Sequence, residues 1–152
     1  MLTPAHSVAA FALASWFGCG RAPRAPGTVG SIGAVPLHLL LRLLPLPVHA
    51  SVVIVLAAGG IWSAGRVAAE LNETDPQSIV IDEVVGTLIA MGLVRRSSAL
   101  RQLAALIVFR AIDIAKPGPV SAAERLKPVG LGIMADDLLA GLIAGAITRW
   151  AR

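Results

Sequence analysis

The chain has no tyrosine, and its three tryptophans and three phenylalanines make up only 4% of 152 residues. That leaves no set of rings on which nucleic-acid bases could stack. The apolar mass is instead Leu, Ala, Val and Ile, which suits tightly packed helices. Cysteine is almost absent. Cys19 alone excludes an intrachain disulfide and a cysteine-based zinc site, and it stands in no motif that would mark a nucleophile. The apolar N-terminal stretch lacks a basic leader, and Cys19-Gly20 is followed by arginine. It is therefore read neither as a standard secretory signal nor as a lipoprotein site. Charge is scarce too, at 14% of residues against 56% hydrophobic, with a mean hydropathy of +0.77. The net charge of +4 is spread without a dense stripe. This argues against nucleic acid and leaves an anionic membrane surface as the partner of a basic chain.

Acid is the scarcest charge and the most unevenly placed. Of nine Asp and Glu residues, six (Asp75, Asp82, Glu83, Asp113, Asp136 and Asp137) fall in three short motifs, with Glu73 just outside the first. A carboxylate in apolar surroundings is costly unless it is paired or binds a metal. Concentration of this kind points to a site, and a divalent cation is its natural occupant.

Apolar segments alternate with polar connections. Residues 4–19 suit a short amphipathic or interfacial helix, and 20–31 (GRAPRAPGTVGS) read as a Gly/Pro/Arg loop. Ile32–Leu44 is apolar up to Pro45 and Pro47. Val48–Gly65 is uncharged and close to the ~20 residues of a spanning helix. Val84–Val94, Ala99–Phe109 and Leu138–Trp150 complete the apolar set. Each crossing switches side. The connections at 20–31, 66–83 and 110–137 therefore converge on one face, and the Pro45–Pro47 and Arg95–Ser98 turns lie on the other. The expected fold is all-α: one domain over 1–152, a compact multi-helix bundle. It is read as a polytopic membrane protein with about four to five apolar helices and the motif loops on one side. His6, His38 and His49 are scattered and read as packing or interface residues.

In DPQSIVIDEVVG (75–86), Asp82 and Glu83 precede an apolar run, where a helix dipole favours acids. That structural role accounts for one acid more easily than for Asp75 as well. Gly86 allows a second helix to approach. In FRAIDIAKP (109–117), Arg110, Asp113 and Lys116 share one helical face, which Pro117 ends. The set is either a surface ion-pair ladder or a phosphate-binding Arg and Lys beside a metal-binding Asp. In GLGIMADDLLAG (130–141), Gly130 and Gly132 read as a flexible entry, and Asp136-Asp137 open an apolar helix. One of the pair can be an N-cap, but adjacent carboxylates repel unless a cation joins them. Gly141 and Gly145 form a GxxxG face for close helix packing. GRAPRAPGTVGS has the glycines, hydroxyls and arginines of a phosphate cradle, although no Gly-Lys-Ser/Thr makes it a Walker loop.

Taken together, APGTVGS, IVIDEVVG, FRAIDIAKPGPV and GLGIMADDLLAG, in this order and spacing, resemble the phosphatidylglycerophosphatase A family from about Gly18 to Gly145. The resemblance implies a mostly helical, Mg²⁺-dependent membrane phosphatase that converts phosphatidylglycerophosphate to phosphatidylglycerol and inorganic phosphate. The matching positions are Thr28, Ser31, Asp75, Asp82, Glu83, Arg110, Asp113, Lys116, Asp136 and Asp137. Lys127-Pro128 departs from the Gly-rich, His-containing approach expected before GLGIM.

On this reading Asp75, Asp82, Glu83, Asp136 and Asp137 are the candidate metal ligands, and Asp82, Glu83, Asp113 and Asp137 the catalytic acids. Thr28, Ser31, Arg110 and Lys116 are expected to hold the phosphate. Asp113 is open between ligand, general base and nucleophile. The expected setting is the bacterial inner (cytoplasmic) membrane, with the site on the cytoplasmic side and no obligate protein partner. The rival reading is a non-enzymatic membrane scaffold or cation-conducting protein with intramembrane acids. It fits the paired acids but not the Arg, Lys and Gly elements beside them.

Overall fold

Each long charge-free run becomes a helix, and prolines and left-handed residues mark where the helices stop. The structure, a computed structural model, describes residues 4–151, with side chains from Ser7 onward. The side chain of His6 and the ends of the 1–152 domain lie outside the described residues. The helices are α1 (Pro4–Ala14), α2 (Pro26–Leu41), α3 (Leu46–Leu71), α4 (Ile81–Leu93), α5 (Ala99–Ala115), α6 (Gly118–Ala123) and α7 (Val129–Trp150). A 3₁₀ turn, Cys19–Arg21, follows α1. There is no strand among the described residues, so the all-α expectation holds.

Local chemistry sets the boundaries. The Ser98 hydroxyl caps α5 by accepting from the Arg101 N–H at 3.3 Å. Lys116 ends α5 with φ +41°, immediately before Pro117. Asn72 ends α3 with φ +55°. α4 is the hub, packed against α2, α3, α5 and α7. Ile81, Val84, Val85 and Leu88 on it are wholly buried. The α4–α7 crossing depends on glycine: a Cβ on Gly141 would stand 2.5 Å from Gly86 O, and one on Gly145 3.0 Å from Ala90 O. His38 and His49 are buried, as expected of packing residues.

Four expectations need correction. First, the four to five spanning helices reduce to two that are long and apolar enough to cross a membrane, Leu46–Leu71 and Val129–Trp150. α2, α4 and α5 are too short at 16, 13 and 17 residues. Second, the 20–31 loop is shorter than expected. Pro26 starts α2, because proline's missing N–H costs nothing in a first turn, so Thr28 and Ser31 are helical. Third, α7 starts at Val129, which places Asp136 and Asp137 inside the helix and removes the N-cap reading. Gly130 and Gly132 are contact points rather than a flexible entry: a Cβ on Gly130 would meet Ile61 O at 2.1 Å, and one on Gly132 would meet Glu124 O at 2.5 Å. Fourth, α6 adds a short helix inside the 110–137 connection.

The two ends of the bundle match the side-switching argument. Residues from 26–27, 74–83 and 113–137 wall one cavity. At the other end, Arg95 Nη1 donates to Leu44 O at 2.7 Å, tying the two turns there together.

Candidate active site

The first turn of α4 carries Asp82 and Glu83. The chain enters it rigidly: Ile79 N–H donates to Pro76 O at 2.9 Å, and Val80 N–H donates to Ala14 O at 2.8 Å. Asp137 lies on the face of α7 that also carries Met134 and Gly141, turned toward α4 and buried. The result is a trio. One carboxylate oxygen from each of Asp82, Glu83 and Asp137 lies within 4.8 Å of the others.

Three anions this close repel, and burial makes the charged forms worse still. Loss of solvent lifts the Asp82 carboxyl well above its ordinary range, and the charges of Glu83 and Asp137 add to this. Burial also lifts Glu83, although its hydrogen bond with Asp82 and the charge of Arg110 pull it back. Asp75, on the cavity wall, is raised by burial as well, against the pull of Lys116.

Two oxygens in this trio, Glu83 Oε2 and Asp137 Oδ2, are buried without any hydrogen-bond partner. Buried anionic oxygens left unpaired are expensive. A hard divalent cation, which takes oxygen ligands, fits this donor set.

Two basic groups flank the trio. Arg110 donates to Asp113 on the same helix face, and its Nη1 lies 3.8 Å from Glu83 Oε1. Lys116 Nζ lies 2.9 Å from Asp136 Oδ2 and 3.1 Å from Glu124 Oε2. Burial alone would lower the Lys116 pKa, but its bonds to Asp136 and Glu124 outweigh that and raise it, so the lysine stays charged.

The cavity beside these groups encloses about 630 Å³, and Arg110, unlike Lys116, is not part of its wall. Asp75, Asp82, Glu83, Asp113, Lys116, Asp136 and Asp137 all line it. Asp136 faces Lys116 and, like Asp75, stands outside the close trio. Thr28 and Ser31 are not part of the wall, and the Ser31 hydroxyl is buried without a partner. Gly27 lines the cavity in their place. Its amide and that of Thr28 precede the first backbone bond of α2, from Val29 N–H to Ala25 O at 3.1 Å.

Sequence reasoning passed over Glu124, and counted Gly27 only among the glycines of the 20–31 stretch. Glu124 lies in the acid-bearing connection but outside the quoted motifs, and only the fold of α6 brings it to Lys116.

The family profile described as Phosphatidylglycerophosphatase A matches residues 12–152. The chain belongs to this family. Its members are named for a phosphatase, and this chain is an enzyme of that class.

The chain is 34% identical to the Escherichia coli phosphatidylglycerophosphatase A over 135 residues, covering 89% of this chain and 78% of the relative. It is 34% identical to the Haemophilus influenzae protein of the same name, covering 95% and 86%. A third relative, from Bacteroides thetaiotaomicron and named as a candidate phosphatidylinositol-3-phosphatase, is 37% identical, covering 88% and 89%. No solved structure matches the chain.

Proposed function

We infer that this enzyme hydrolyses the terminal phosphomonoester of phosphatidylglycerophosphate, releasing phosphatidylglycerol and inorganic phosphate. The single observation that carries the reading is the carboxylate trio with two unpaired buried oxygens, set beside Lys116 in one cavity, with Arg110 against Glu83. A scaffold would not need such a site, and a cation pathway would be opposed by the two basic groups.

Asp82, Glu83 and Asp137 would hold Mg²⁺. When bound, the cation supplies neutralisation of phosphate charge and activation of a water. The remaining work belongs to side chains and backbone. Lys116 and Arg110 attract the phosphate and stabilise charge on its equatorial oxygens. Gly27, on the cavity wall at the α2 N-terminus, adds a free backbone amide to the same attraction. Asp113, held by Arg110 and outside the trio, accepts the proton of the attacking water. The new bond joins water oxygen to phosphorus. The bond from phosphorus to the glycerol oxygen breaks, and that oxygen leaves with the proton that Asp113 has taken from the water.

The setting proposed is the bacterial inner membrane, with the cavity at headgroup level on the cytoplasmic side. Support for a membrane comes from the two spanning-length helices. It comes also from exposed apolar side chains on every long helix around the bundle, such as Leu40, Ile54, Val55, Ile107 and Leu142. Between apolar helices in lipid, packing and close backbone approach replace hydrophobic burial as the cohesive force. The Gly86–Gly141 crossing provides that approach.

Phosphate release by the purified protein tests the proposal. Phosphatidylglycerophosphate with Mg²⁺ should be hydrolysed, and chelation should abolish turnover. Glycerol 3-phosphate and phosphatidylinositol 3-phosphate serve as comparators. An equal kcat/KM on the soluble ester would contradict the lipid assignment, and preference for the inositide would reassign the headgroup. Quantitative release of the protein from membranes by carbonate would contradict the integral-membrane setting and leave the chemistry intact.

A further inference from the structure

The end of the bundle opposite the cavity has the reverse charge. Arg95, Arg96, Arg101 and Arg149 line one recess of about 520 Å³, together with Leu46 and residues 92–94. No acid lines it. The segments that build this end, 38–50, 90–102 and 145–151, contain no Asp or Glu at all. Every ion pair among the described residues involves Arg110 or Lys116, at the other end.

Three of the four guanidiniums are held by backbone carbonyls of turns and helix ends. Arg95 Nη1 donates to Leu44 O at 2.7 Å, Arg101 Nη2 to Ala151 O at 3.2 Å, and Arg149 Nη1 to Leu93 O at 3.4 Å. The last two offset the negative ends of α7 and α4, and all three fix the side chains in place. They use one donor of the five on each guanidinium and leave the full charges uncompensated by any acid. Arg96 is exposed.

Large apolar side chains next in sequence to this end's residues are exposed: Leu43, beside Leu44, is 79% exposed, Leu100, beside Arg101, 77%, and Trp150, beside Arg149, 81%. Arginine beside exposed leucine and tryptophan is the composition of a headgroup layer, where the ring and chains meet lipid and the guanidiniums meet phosphate.

We propose that this recess binds the phosphate of an anionic phospholipid in the leaflet opposite the catalytic cavity, through Arg95, Arg96, Arg101 and Arg149. The proposal rests on the membrane setting above and not on the phosphatase chemistry.

Trp150 makes it testable. The protein is placed in phosphatidylcholine vesicles containing a minor fraction of brominated-chain phosphatidylglycerol, or the same fraction of brominated-chain phosphatidylcholine. The Trp150 signal is the fluorescence lost in Trp150→Phe. The anionic lipid should quench this signal more than the neutral one. Arg96→Gln with Arg149→Gln should lower the excess enrichment by roughly tenfold, given the attraction of each basic side chain to anionic lipid. Both positions are exposed, and hydrolysis of phosphatidylglycerophosphate by the double variant should be unchanged.

Equal quenching by the two lipids would overturn the proposal, as would an excess that survives in the variant. Loss of the excess on adding inorganic phosphate at matched ionic strength would assign the recess to a soluble anion and overturn the lipid claim. Absence of quenching by either lipid, with phosphatase activity intact, would overturn it together with the membrane setting while sparing the catalytic reading.

Discussion

Glu83 and Arg110 stand 3.8 Å apart across the junction of α4 and α5, and the bare backbone of Gly27 leaves them the room. A Cβ on Gly27 would lie 2.0 Å from Glu83 Oε1 and 3.0 Å from Arg110 Nη2. The far end of a glutamate can swing aside, so Gly27→Ala should fold with near-normal thermal stability. The swing removes Glu83 from the trio, and misplacement by about 1 Å costs on the order of 10²-fold in rate. Steady-state hydrolysis beside a melting curve checks both halves. A normal rate in Gly27→Ala would show that Glu83 need not occupy its present position.

The metal-free protein should lose stability as pH rises. Burial raises the folded-state pKa values of Asp82 and Glu83. Between the ordinary carboxylate range and those raised values, the folded state binds more protons than the unfolded one. Stability therefore falls with increasing pH across that window. Mg²⁺ should reverse the fall, stabilising the protein more at the alkaline end of the window than at the acid end. Melting temperatures in chelator and in Mg²⁺, at acid and neutral pH, measure this. The same Mg²⁺ effect at both would count against a carboxylate site.

Gly141→Ala should be costly for the fold. The new methyl would stand 2.5 Å from Gly86 O. Main chain cannot swing aside as a glutamate can, so α4 and α7 must separate. Overpacking of this kind costs about 1–3 kcal/mol. Ala146→Leu, on an exposed position of the same helix, is the control. A melting temperature for Gly141→Ala equal to that of the control would contradict the tight crossing.

The helix interiors were legible because runs such as Val84–Val94 and Leu138–Thr148 hold no charge, and Pro117 follows directly on the end of α5. Asp82 and Glu83 were legible at a helix start for the same reason: the apolar run begins just after them. The glycines misled. Gly130 and Gly132 read as flexibility, but their lack of a side chain serves contact with Ile61 and Glu124 backbone. A sequence does not say which use a glycine has. That error moved the start of α7 and made Asp137 resemble an N-cap. The Gly-rich stretch at 27–31 was misread in the same way, so Thr28 and Ser31 were assigned to a loop although they lie on α2. The Lys116–Glu124 pair depends on the path of α6 and has no local signature.

The central claim is that the buried carboxylates of α4 and α7 form the catalytic cation site, and Asp137→Asn tests it most directly. The amide is nearly isosteric, so packing in α7 should survive. It is neutral and a poor ligand for Mg²⁺, and it leaves the trio one charge short. Phosphatidylglycerophosphate hydrolysis by the purified variant at saturating Mg²⁺ should fall by about two orders of magnitude or more, with expression and melting temperature near wild type. Near-normal hydrolysis by a well-folded Asp137→Asn protein would contradict the account and move the cation site away from Asp137.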